Sequence, residues 1–154
     1  MKLSKEFLDK IINVTSNAAI ACYPYLGKKD KILADKAATD EMRKNLNNLD
    51  IDGRVVIGEG ELDEAPMLYI GEKLGTGKGP SIDIAVDPLE GTNFAAKNLP
   101  GALSVIAIAL KGNLFNAPET YTRCRIDGKI FGRELVRWPC SNEHLHCLLL
   151  GHIL

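Results

Sequence analysis

The sequence lacks the marks of a membrane, secreted or nucleic-acid-binding protein. No apolar run approaches the ~20 residues that a transmembrane helix needs, so no helical span is expected. The opening MKLSKEFLDK is too polar for a signal peptide, and the expected location is cytoplasmic. Neither sign of charge dominates: 19 Lys and Arg stand against 20 Asp and Glu, a net charge of −1. That balance removes bulk attraction to nucleic acid or an anionic membrane surface. Four cysteines are present but no Cys-x-x-Cys, so neither a thioredoxin-like motif nor a standard zinc site is indicated. Cys140, His144, His146 and Cys147 lie close together, yet their spacing fits no common zinc pattern. What is left, 154 residues of which 45% are apolar, is enough for one domain with a real core.

The glycine-rich GTGKGP at 75–80 also lacks what a phosphate loop requires. A Walker loop would need glycine at 72, where Glu72 stands, and a Ser or Thr after Lys78. A dinucleotide fingerprint would need glycine at 80, where Pro80 stands. A flexible linker is the expectation.

Charge is present, but unevenly spread. Residues 59–90 carry eight acids (Glu59, Glu61, Asp63, Glu64, Glu72, Asp83, Asp87 and Glu90) against Lys73 and Lys78. Crowded carboxylates repel unless they are solvated or bridged by cations, and a solvated acidic face is the ordinary outcome.

Periodicity organises the rest. Leu3, Phe7, Ile11, Val14 and Ala18 form one stripe of a helix over 3–24, ended by Pro24 and Gly27. A second helix is expected from about Ala34 to Leu49 and a third from about Ala65 to Leu74. RVVIGEGE, SIDIAVD and the apolar run ALSVIAIAL at 102–110 read as strands, the last suited to the middle of a sheet. Helices alternating with buried strands predict an α/β fold.

The stretch SIDIAVDPLEGTNFAA joins these patterns to chemistry. A buried strand ends on Asp87, and Pro88 should stop ladder pairing there. Glu90 returns to the same side if Pro88–Glu90 turns like the first turn of a helix. Gly91 permits close backbone approach to a ligand, the following N–H groups suit a phosphate, and Thr92 offers a hydroxyl that can orient a water. Glu59 sits in IGEGE at the end of another strand and would face Asp87 and Glu90 if the two strands are neighbours. An all-oxygen pocket of this kind selects Mg²⁺ or Mn²⁺ over zinc and suits phosphate-ester hydrolysis. Asp35, in LAD at a helix start, is a candidate to pair with a threonine and orient water. Taken singly, Asp87-Pro88 reads as a strand end and Asp35 as a helix cap; the set points to a site.

Asp87-Pro-x-Glu-Gly-Thr92 resembles the Asp-Pro-[Ile/Leu]-[Asp/Glu]-Gly-[Thr/Ser] signature of the lithium-sensitive, metal-dependent sugar and inositol phosphatases. VVIGEGELDEAPMLYIGEKLGTGKG followed by DIAVDPLEGT closely resembles class II, GlpX-type fructose-1,6-bisphosphatase. GKKDKILADKAATDEMR, LPGALSVIA and LFNAPETY agree with it, so the resemblance runs from residue 3 to about 121. It implies a layered α-β-α sugar-phosphatase fold, present here in its N-terminal part. It implies Mg²⁺- or Mn²⁺-dependent hydrolysis of the 1-phosphate of fructose 1,6-bisphosphate, a gluconeogenic step, and a homo-oligomer in the full-length family. Asp35, Glu59, Asp87 and Glu90 fall on metal-ligand positions and Thr92 on the residue that helps activate water. The Glu90-Gly91-Thr92 backbone and Tyr121 fall on substrate contacts. An inositol or other sugar monophosphatase shares the short signature but not the long match.

Residues 122–154 depart from this pattern. They hold three of the four cysteines, all three histidines and the only tryptophan. The family's further glutamate ligand and its Arg-x-Arg phosphate clamp find no match there. The expected organisation is a phosphatase part over 1–121 and an atypical tail over 122–154, from a truncated or frameshifted chain. An incomplete sheet would leave the apolar strand 102–110 exposed to aggregation, and an inactive fragment is the third reading.

Overall fold

The computed structural model describes residues 4–58, 68–114 and 146–153, the last stretch by its backbone. Helix α1 spans Lys5–Cys22 and starts where Ser4 Oγ accepts the Phe7 N–H at 3.2 Å. Ile11, Val14, Thr15, Ala18 and Cys22 are buried along it, the spacing of one helix face. The chain leaves through a short 3₁₀ turn at Tyr23–Tyr25 that contains Pro24.

Helix α2 spans Lys31–Asn47, beginning three residues before the expected Ala34. The cap explains the difference. Asp30 Oδ1 accepts the Leu33 N–H at 3.0 Å, so Lys31-Ile32-Leu33 becomes part of the first turn. Ala34, Ala38, Met42 and Leu46 recur every four residues and are buried.

One five-stranded sheet lies against this pair of helices, in the order β2-β1-β3-β4-β5. The strands are β1 (Asp52–Ile57), β2 (Lys73–Leu74), β3 (Ser81–Glu90), β4 (Ala102–Leu110) and β5 (His146–Ile153). β1 and β3 are parallel and every other pairing is antiparallel, so the sheet is mixed and the class is α/β. Ile82, Ile84 and Val86 of β3 join Ile106 and Ile108 of β4 in the core shared with α1 and α2. By strand alternation, Asp83, Ala85 and Asp87 occupy the opposite face.

Four expectations change. Leu68 to Leu74 is not helical: Ile70-Gly71 turns and Lys73-Leu74 pairs with Arg54 and Gly53, because the chain doubles back beside β1. GTGKGP is not a loose linker. Gly79 has φ +95°, and an added Cβ would lie 2.2 Å from the Asp50 carbonyl oxygen. The Thr76 and Gly77 N–H groups donate to the Leu49 and Ile51 carbonyls at 3.0 Å each, and Thr76 Oγ1 bonds Asp50 Oδ1 at 2.9 Å. Third, β3 does not stop at Asp87 but runs through Pro88 to Glu90. Finally, β4 is not left at the sheet's edge, since β5 pairs with it from Ala102 to Ile108. Among the described residues no helix is long and apolar enough to cross a membrane.

Candidate active site

The carboxyl ends of β1 and β3 lie side by side. Their parallel register runs from Asp52↔Ser81 to Ile57↔Ala85, so both strands point their last residues at the same end of the sheet. Crevices at the carboxyl ends of parallel strands are the usual ligand sites of α/β sheets. Glu59, two residues beyond β1, lies outside the described residues, as does Tyr121.

At the end of β3 the pairing with β4 shifts: Asp87 is opposite Val105 and Glu90 is opposite Leu103. Three steps on β3 match two on β4, which is a β-bulge at Pro88-Leu89 facing Ser104. Pro88 fits there because a bulged residue is released from the ladder. Paired residues of an antiparallel ladder share a face, and Val105 and Leu103 are two apart. The bulge therefore sets Asp87 and Glu90 on one face, the face away from α1 and α2. The helical turn expected at Pro88–Glu90 is replaced by this extra residue. Asp87 is half-buried and its Oδ1 accepts the Leu89 N–H at 3.2 Å, while Glu90 is exposed.

Gly91 then takes φ +82°, the left-handed conformation glycine favours. It caps the short helix α3 (Thr92–Ala96), where Thr92 is half-buried at the first position. The turn before α2 is laced to α3: the Gly27 N–H donates to the Ala95 carbonyl at 3.0 Å and the Lys29 N–H to the Ala96 carbonyl at 2.8 Å. This brings the start of α2, with Asp35, to the same end of the molecule. Asp35 is not the helix cap; Asp30 is. Its Oδ1 is buried without a hydrogen-bond partner, and burial raises its carboxyl pKa above the ordinary value.

A buried, unpartnered carboxylate oxygen is costly unless a cation or a proton satisfies it. Together with an all-carboxylate donor set, this fits a hard divalent cation. Asp35, Asp87 and Glu90 do not form a ready cluster, however: among the described residues no three His, Cys, Asp or Glu side chains are grouped to hold a metal. A cavity of about 480 Å³, lined by Asn13 and Asn17 of α1 and Asn45 and Asn48 at the far end of α2, contains none of these residues.

Two acids of the crowded segment have structural work elsewhere. Asp83 Oδ2 accepts the Gly112 and Leu114 N–H groups at 2.6 and 3.4 Å. Glu72 pairs with Arg43 at 2.7 Å. Sequence reasoning passed over Ser104, whose hydroxyl is buried without a partner opposite the bulge. A serine inside an apolar run, ALSVIAIAL, is the only signal it left.

Comparison with known proteins agrees with the motif. A family model described as bacterial fructose-1,6-bisphosphatase, glpX-encoded, matches residues 5–133. The class 2 fructose-1,6-bisphosphatase 1 of Escherichia coli K12 is 52% identical over 126 residues, covering 82% of this chain and 38% of that protein. The class 2 D-fructose 1,6-bisphosphatase/sedoheptulose 1,7-bisphosphatase of Synechococcus sp. CC9605 is 50% identical over 121 residues, covering 79% of this chain and 36% of that protein. The chain thus spans well under half the length of these curated relatives. Among solved structures, an extragenic suppressor from Pyrococcus furiosus aligns at 19% identity and TM-score 0.47, over 70% of this chain and 41% of that one.

Proposed function

The chain belongs to the glpX-encoded bacterial fructose-1,6-bisphosphatase family, whose model it matches over residues 5–133, and from this premise we propose that it carries the amino-terminal part of a metal-dependent sugar bisphosphatase. The reaction is hydrolysis of the 1-phosphate of fructose 1,6-bisphosphate to fructose 6-phosphate, a step of gluconeogenesis in a cytoplasmic setting. Asp35, Glu59, Asp87 and Glu90 would hold Mg²⁺ or Mn²⁺. The bound cation would polarise the phosphate ester and neutralise charge on it.

The chain's own groups would do the rest. Thr92, on the first turn of α3, and Asp35, on the second turn of α2, would hold the attacking water between a hydroxyl and a carboxylate. The Asp35 carboxylate would accept that water's proton. The backbone N–H groups of Glu90-Gly91-Thr92 would receive phosphate oxygens, helped by the left-handed Gly91. Tyr121 would contact the sugar. The full-length proteins of the family would act as homo-oligomers.

The observation that carries this reading is the buried, unpartnered Asp35 Oδ1 on α2, the helix whose entry turn is bonded to α3. The test is phosphate release by the purified chain with Mn²⁺, using fructose 1,6-bisphosphate, sedoheptulose 1,7-bisphosphate and inositol monophosphate. Turnover of a sugar bisphosphate alone supports the proposal, and turnover of inositol monophosphate alone favours the monophosphatase reading. Metal binding without turnover of any of the three supports the inactive-fragment reading instead.

A further inference from the structure

Arg43 of α2 and Glu72, at the foot of the loop that joins β1 to β2, grip each other by two contacts. Arg43 Nε donates to Glu72 Oε1 at 2.7 Å and Nη2 to Oε2 at 3.4 Å. Oε2 also accepts the Tyr69 N–H at 3.3 Å. The backbone at this point is fixed to β1: the Val55 N–H donates to the Glu72 carbonyl at 2.9 Å, and the Gly71 N–H to the Val55 carbonyl at 2.8 Å. Glu72 is only 8% exposed.

Two features separate this pair from the other ion pairs. Lys10–Glu6, Lys36–Asp40, Arg43–Asp40 and Lys44–Glu41 each lie three or four residues apart within one helix. Among the described residues, Arg43–Glu72 alone joins two elements, across 29 positions of sequence. Both sides matter: α2 carries Asp35, and Glu72 is backbone-bonded to Val55 of β1, the strand that leads into Glu59.

A largely buried ion pair returns little net stability, because desolvation offsets the Coulombic gain. Apolar side chains of similar volume would hold α2 to the hairpin about as firmly. A guanidinium fork on a carboxylate supplies something else, a fixed distance and a fixed orientation. We infer that Arg43 and Glu72 are a positioning pair, which sets α2 and the β1–β2 hairpin at the spacing that the carboxylate site requires. This rests on the metal-site reading of the preceding section. The pair acts through the elements it ties, and a displacement near 1 Å is enough to cost a site of this kind ~10²-fold.

The experiment measures Mn²⁺ affinity by titration calorimetry and stability by urea unfolding, on the full chain and four variants. Arg43→Met/Glu72→Leu replaces the pair by apolar groups, Glu72→Gln removes one charge at constant shape, Arg43→Lys keeps the charge without the fork, and Asp35→Asn removes a ligand. The expected result is that Arg43→Met/Glu72→Leu keeps the wild-type urea midpoint while Mn²⁺ affinity falls roughly 10-fold or more, in the range typical of lost supporting contacts. Arg43→Lys should lose affinity too, because a point charge does not orient. If the double variant does not fold, Glu72→Gln carries the test, with the same loss expected. Wild-type affinity in the folded clamp variants, while Asp35→Asn binds weakly, overturns the positioning role alone. Equal binding by wild type and Asp35→Asn, or no binding by either, overturns the metal-site reading and the inference with it.

Discussion

Asp87 and Glu90, three residues apart on one strand, stand on the same face of the sheet. A regular strand would put them on opposite faces. They meet because β3 spends one extra residue at Pro88-Leu89 while β4 passes from Val105 to Leu103. The Asp-Pro-x-Glu spacing is thus a bulge written into sequence.

That geometry separates the position of Glu90 from the stability of the strand. Removing Leu89 should restore regular pairing and leave Glu90, then two residues from Asp87, on the same face. Leu89 is 1% exposed in the core, so the deletion should lower the urea midpoint. Asp87→Asn leaves the backbone unchanged and should reduce phosphate release by more than the ~10–100-fold typical of a lost supporting contact. An undiminished rate in Asp87→Asn, measured with Mn²⁺ on fructose 1,6-bisphosphate, refutes its metal role.

Asp35 links stability to function with opposite signs. Burial raises its folded pKa above the unfolded value. The folded state therefore binds its proton more tightly, and stability falls as pH rises from the unfolded pKa through the folded one. Above that range the group opposes folding of the metal-free chain. Asp35→Asn should raise the melting temperature without metal and abolish the rise that Mn²⁺ gives the wild type. A cation at 100 times its Kd adds about 2.7 kcal/mol to the wild type. Scanning fluorimetry with and without Mn²⁺ reads both effects, and equal Mn²⁺ shifts in the two proteins would contradict the assignment.

The cap of α2 separates two roles that sequence left open for Asp35. Asp30 accepts the Leu33 N–H, so Asp30→Ala should cost about 1 kcal/mol and leave Mn²⁺ affinity intact. Urea unfolding that shows Asp30→Ala neutral and Asp35→Ala destabilising would mean that Asp35 is the cap after all.

The 75–80 loop should behave as a packed element. Gly79→Ala combines a left-handed φ of +95° with a Cβ 2.2 Å from the Asp50 carbonyl oxygen, a conflict of backbone against backbone worth about 1–3 kcal/mol. Gly77 has φ +75° but nothing within 4 Å of its Cβ, so Gly77→Ala should cost less, about 1 kcal/mol. Equal urea midpoints for the two variants would show the loop is loose.

Much of this molecule is local in origin, and local features are legible in sequence. The stripe from Phe7 to Ala18, the apolar runs of β3 and β4, and Gly91 before Thr92 each follow from the period or the conformational freedom of neighbouring residues, and each is found in place. The family, too, was readable in the motifs from Gly27 to Tyr121 and is matched over 5–133. Non-local pairing decided the rest. Whether Leu68–Leu74 is helix or strand depends on β1 beside it; whether Glu72 is solvated or paired depends on Arg43, 29 residues away. The side of the sheet on which Glu90 stands depends on how many residues β4 offers opposite. Sequence carries periods along one chain, whereas register and burial arise only when two segments meet.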